Sequence, residues 1–139
     1  MITGIHHINL VVPPGTLGAA AAFYGGTLGL TARPVPAAQV GTIAWFDVGA
    51  ATTTTSQQQV HVAFGDPEDF AYRSRRHPCF RVASGDDLLA LRRRIHAHWE
   101  RGGEGAPLDA DPPGAESSGA KGVEYPERFF ARDYAGNRL

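Results

Sequence analysis

The chain has 139 residues, with 13 lysines and arginines against 14 aspartates and glutamates and a formal charge of −1. That length can bury one compact core, and so even a charge balance argues against a nucleic-acid partner. One cysteine excludes an intrachain disulfide, no apolar run approaches the roughly 18 residues of a membrane span, and no charged stretch leads an apolar one at the N-terminus, so a cytoplasmic protein with no membrane partner is expected.

In chain order, residues 4–12 read as a first strand. The two-residue period puts Ile8, Leu10 and Val12 on a core face and Ile5, His7, Asn9 and Val11 on the other. His7 and Asn9 therefore need polar partners, whereas His6, on the apolar side, reads as a structural hydrogen-bonder. Pro13, Pro14 and Gly15 stop the strand. Thr16 suits a helix N-cap, and residues 17–25 read as a short helix with Leu17, Ala20, Ala21 and Tyr24 on one side, closed by Gly25 and Gly26. Residues 28–35 predict a second strand, 42–48 a third and 59–64 a fourth, the last with His61 opposite Val60, Val62 and Phe64. The polar residues 49–59 read as a loop.

Residues 65–76 form a polar connector, after which the grammar restarts. Residues 77–83 predict a strand with Pro78, Phe80 and Val82 on its apolar face and His77, Cys79 and Arg81 on the mixed one. Cys79 is expected to be a small buried hydrophobe. Ser84 is an N-cap candidate for a helix over 86–101 with Leu88, Leu91, Ile95 and Trp99 as its core stripe, Asp86 and Asp87 at its positive end, and His96 and His98 at the surface. Arg92, Arg93 and Arg94 read as its solvated side. Residues 102–122 are a long loop, a lid or a disordered stretch, with room for one short strand. Residues 124–133 predict a strand, DYAG a tight turn, and 137–139 the start of a last strand. Leu10 with Phe80, and Val12 with Val82, match between the halves, so module one covers about 4–65, a linker 66–76 and module two about 77–139.

The chain resembles the vicinal oxygen chelate superfamily, which holds glyoxalase I, bleomycin-resistance proteins and extradiol dioxygenases. The carrying segments are HHINLVV at 6–12, FYGGTLGL at 23–30, AWFDVG at 44–49, QVHVAF at 59–64, HPCFRV at 77–82 and RFFARDYAGNRL at 128–139. The resemblance implies an α+β fold of two βαβββ modules whose eight strands form an open cup with helices outside, and dimers are common in the family. It also implies a divalent metal, zinc, nickel, iron or manganese, on His7, His61 and His77. The position where the family normally carries a glutamate ligand would follow Leu139, so either the native gene continues past it, or the ligand set is three histidines plus water, or no metal binds.

Such an ion would chelate neighbouring oxygens of a small substrate, as in a lyase, an isomerase or a dioxygenase. Imidazole suits several of these metals, so ligand type does not choose among them. Asn9, Trp45, Arg81, Arg128 and Phe130 are the candidate substrate contacts, with Arg132 as a further anion-binding candidate and Glu127 and Asp133 as weaker candidate bases. Trp45, Phe46, Phe129 and Phe130 also have a plain reading as core. The alternative function is a metal-free protein that binds a small molecule in the cup.

Overall fold

The computed structural model describes residues 4–49, 58–66, 74–115 and 128–139. The first half is a mixed sheet of β1 (His7–Val12), β2 (Thr31–Arg33), β3 (Ile43–Asp47) and β4 (Gln59–Phe64) in the order β1-β4-β3-β2. β1 runs parallel to β4 and the other pairs are antiparallel. Register fixes the two faces. Leu10 pairs with Val62 and Val62 with Ala44 on one face, while Asn9, His61 and Trp45 line up on the other. The apolar face buries Val12, Val60, Val62 and Phe46 against Phe23 and Tyr24 of the first helix, each such side chain contributing about 1.5–3 kcal/mol.

That helix, α1 (Leu17–Ala20), runs on into a wider π-type segment, Ala21–Thr27. Its buried residues are Ala20, Phe23, Tyr24 and Thr27, and Ala21 is exposed, unlike the stripe expected from a plain α-helix. The wider turn accounts for the change: the Leu28 N–H reaches back five residues to the Phe23 carbonyl at 2.8 Å, which shifts every later side chain around the axis. Residues 28–30 are spent closing this helix, with Gly29 at φ +79°, so the second strand is shorter than 28–35. Pro34 ends it. Thr16 stands at the N-cap, but its hydroxyl donates to the Pro13 carbonyl at 2.6 Å rather than capping the helix.

In the second half, α2 (Gly85–Arg101) starts where expected. Ser84 Oγ accepts from the Asp87 N–H at 3.1 Å and donates to its carboxylate at 2.6 Å. The buried face is only partly the expected one, with Ile95 and Leu91 packed into a core with Ala110 and Ala131. Arg92, Ile95 and His98 are buried, whereas Trp99 is 46% exposed. Arg92 is not solvated: it donates to the carbonyls of Asp111 at 3.3 Å and Ala115 at 2.7 Å. Arg94 donates to the carbonyls of Thr27 and Leu28. His98 is held between Thr27 Oγ1 at 2.6 Å and the Glu104 carbonyl at 3.2 Å. Each buried polar side chain on this face thus meets a fixed partner, which offsets its desolvation.

Residues 77–83 pair with no strand among the described residues, against the strand expected there. Pro78 has no N–H to offer one. β5 (Asp109–Ala110) pairs antiparallel with β6 (Ala131–Arg132), and the chain turns at 133–137 so that Leu139 exchanges two backbone bonds with Ala131. Among the described residues there are thus six strands in sheets of four and two, an α+β fold. The polar loop 50–57, the middle of the connector at 67–73, and 116–127 with Glu127 and most of the strand expected before Phe130, lie outside the described residues. No helix among the described residues is long and apolar enough to cross a membrane.

Candidate functional site

The face of the sheet turned away from α1 carries a stack of rings. His7 on β1, His61 on β4 and Trp45 on β3 project from one side because strand residues two apart share a face. His61 lies between the other two, 4.1 Å from the His7 ring at 12° and 4.5 Å from the Trp45 ring at 5°. His6 meets His7 edge-on at 5.4 Å, their Nδ1 atoms 3.2 Å apart. His6 is exposed rather than core-facing. Trp45 Nε1 is buried and, among the described residues, has no hydrogen-bond partner.

A chain of polar groups runs beside the stack on the same face. Arg33 pairs with Asp47 at 3.1 Å, Asp47 Oδ1 accepts from the Gln59 amide at 2.8 Å, and Gln59 Oε1 lies 3.0 Å from His61 Nε2. Sequence reasoning missed Arg33, Asp47 and Gln59. The available signal was Asp47 itself, a carboxylate inside an otherwise apolar strand that requires a partner. Burial lowers the pKa of His61 below its ordinary value of 6.5, and the neighbouring His7 and His6 lower it further by disfavouring a second positive charge. His61 is therefore neutral at physiological pH.

His77 is not in this stack. Its Nδ1 donates to the Arg75 carbonyl at 2.8 Å, and its ring meets Phe130 edge-on at 5.4 Å. Arg138 lies over the Phe130 ring at 3.9 Å and Arg128 at 5.6 Å. Here a cavity of about 880 Å³ opens between the halves. Leu88, Leu91 and Ile95 of α2 form its apolar wall, and Arg81, Arg128 and Phe130 line it elsewhere. The expected substrate contacts therefore divide: Arg81, Arg128 and Phe130 belong to the cavity, while Asn9 and Trp45 belong to the sheet face.

These residues do not fit the expected three-imidazole metal set. Among the described residues no three histidine, cysteine, aspartate or glutamate side chains come together in a way that could hold an ion. His7 and His61 are neighbours, but an imidazole lone pair lies in the ring plane. Rings stacked nearly parallel send their lone pairs side by side rather than to one point about 2 Å from both. Nε2 of His61 is moreover engaged by Gln59.

Three other expectations change. Cys79 is exposed, not buried. Arg132 donates to the carbonyls of Gly136 and Ser74 and serves as a brace. Asp133 is wholly buried and accepts from Tyr24 Oη at 2.6 Å, from Asn137 Nδ2 at 2.9 Å, and from the N–H groups of Ala135 and Asn137. Burial raises the pKa of Asp133, against the pull of those hydrogen bonds, and raises that of Tyr24 well above the usual phenol value. A carboxylate with both oxygens so engaged is a structural knot, not a free base. Asn137 also donates to the Val11 carbonyl, tying the knot to β1.

The fold is similar over 99% of this chain, and 92% of the other, to a crystal structure described as a glyoxalase family protein from Bacillus anthracis, with a TM-score of 0.65 and 25% sequence identity. No protein-family model matches the chain. No curated protein matches it either.

Proposed function

We propose that this chain is a member of the vicinal oxygen chelate superfamily, its modules at 4–65 and 77–139 forming that group's eight-stranded cup, and that it binds a small molecule without a metal. The glyoxalase-family neighbour supports the family part of this reading. The observation that carries the rest is the cavity of about 880 Å³, lined by apolar residues of α2 and by Arg81 and Arg128. That volume lies within the roughly 300–1,000 Å³ of small-molecule sites, and an apolar lining with a few charged groups is their usual chemistry. The ligand is accordingly an apolar, largely planar body with an anionic end.

Calorimetry with an aromatic carboxylate such as cinnamate, beside its neutral amide, tests this. The carboxylate binds, the amide binds more weakly, and Arg81→Ala lowers affinity by about tenfold, the scale of one charged hydrogen bond. A chelator leaves binding unchanged. Stoichiometric uptake of Zn²⁺ or Ni²⁺ that is lost in His7→Ala, with binding dependent on that ion, would overturn the reading in favour of a metal-dependent lyase, isomerase or dioxygenase.

A further inference from the structure

We infer that His61 is a hydrogen-bond acceptor of fixed tautomer, its proton on Nε2 and its lone pair on Nδ1, set by Arg33, Asp47 and Gln59, and that the sheet face presents Nδ1 to a hydroxyl or N–H group of a small molecule. This goes beyond the cavity reading and does not depend on it, because the cavity lining includes none of these residues.

The orientation is transmitted from the edge of the sheet inward. Asp47 is buried and its carboxylate oxygens face Arg33 at 3.1 Å and the Gln59 amide at 2.8 Å. A carboxylate paired with a guanidinium only accepts, so the Gln59 atom beside it is the NH₂ and not the carbonyl. The Gln59 carbonyl oxygen must then face His61 Nε2, 3.0 Å away. An amide oxygen cannot donate, so Nε2 carries the hydrogen and the neutral ring has its lone pair on Nδ1. Both ring faces are covered, by His7 and by Trp45, which holds the plane of the imidazole. Nδ1 has no hydrogen-bond partner among the described residues. Arg33, Asp47 and Gln59 are positioning residues in this arrangement, since they act on a ligand only through His61. The same sequence of bonds explains why Nε2 is a poor place for an ion: a metal there displaces Gln59, whose amide remains held by Asp47.

Long-range ¹H–¹⁵N correlation spectra of protein labelled at its histidines, recorded above the ordinary imidazole range, read the tautomer directly. Wild-type His61 shows the Nε2–H pattern, and Gln59→Met, which removes the amide while keeping the side chain's bulk, gives a mixture of tautomers. An Nδ1–H pattern in the wild type, or an unmixed Nε2–H pattern in a folded Gln59→Met, overturns the relay. The wild-type spectrum decides even where that variant does not fold. Phenol is the probe for the acceptor: titrated into the wild type it moves the His61 Nδ1 resonance, and toluene at the same concentration does not. Equal responses to the two, or none to either, overturn the acceptor role.

Discussion

In the first half, β1, β3 and β4 pair along five or six residues and carry the core on one unbroken apolar face. In the second half, a 17-residue helix rests on a ladder two residues long, and its buried face includes an arginine and a histidine. The first is held by burial of apolar side chains, and the second adds to a smaller core of Ile95, Ala110 and Ala131 polar side chains that reach backbone carbonyls. Strands need partners as well as pattern, and beside this short ladder polar side chains add to a small apolar core. The two regions meet at several points, His98 and Arg94 on Thr27 among them. Asp133 and Asn137 bind Tyr24 and the Val11 carbonyl, and Gly105, at φ +70°, lies so close to α1 that a Cβ there would run into the Ala19 carbonyl.

The junction is where the contrast breaks most readily. Asp133→Ala leaves the buried Tyr24 hydroxyl and two N–H groups unpaired, and costs on the order of 3–5 kcal/mol, read as a fall in the urea midpoint. A loss under about 1 kcal/mol would show that the halves are not coupled there. Arg92→Met sharpens the contrast instead. It strands the carbonyls of Asp111 and Ala115 at a cost of about 2–3 kcal/mol, and hydrogen exchange quickens at 109–111 and 130–132 while β1 and β4 keep their protection. Equal loosening of both sheets would contradict separate means of support. Ser84→Ala removes the cap of α2 for about 1 kcal/mol, a small shift in the thermal midpoint without change in the first half.

The smallest effect is a pH dependence. His61 has a folded pKa below its ordinary 6.5, so the unfolded chain binds this proton more tightly. Stability from this group is present above about pH 6.5 and falls as pH drops from there through the folded pKa. His61→Gln flattens that slope. Asp133 acts in the opposite sense: its raised folded pKa makes its contribution fall as pH rises through that value.

Much of the first half was legible because strand alternation is geometric. Ile8, Leu10 and Val12 against His7 and Asn9 fall as the two-residue period requires, and Trp45 and His61 meet on the polar face. The helical segment 21–27 was less so, since a π-type turn follows from tertiary fit and has no reliable letter code. On α2 the apolar stripe placed Leu91 and Ile95 correctly but not Trp99, and a count of hydrophobes assigns Arg92 and His98 to solvent. Their partners, Asp111, Ala115, Thr27 and Glu104, include groups far away in sequence. Residues 77–83 alternate correctly, but alternation does not supply a neighbouring strand. For the site, histidine identity pointed to His7 and His61 as a pair. It could not reveal that their rings stack rather than converge, nor that His77 lies apart with Phe130.

Backbone amide shift mapping with cinnamate tests most directly whether the cavity between the halves, and not the histidine pair, receives the ligand. The account predicts saturable shifts at Phe80, Leu88, Leu91 and Phe130, little change at His7 and Asn9, and the same pattern with chelator present. Shifts centred on His7 and His61 that vanish when chelator is added would contradict it.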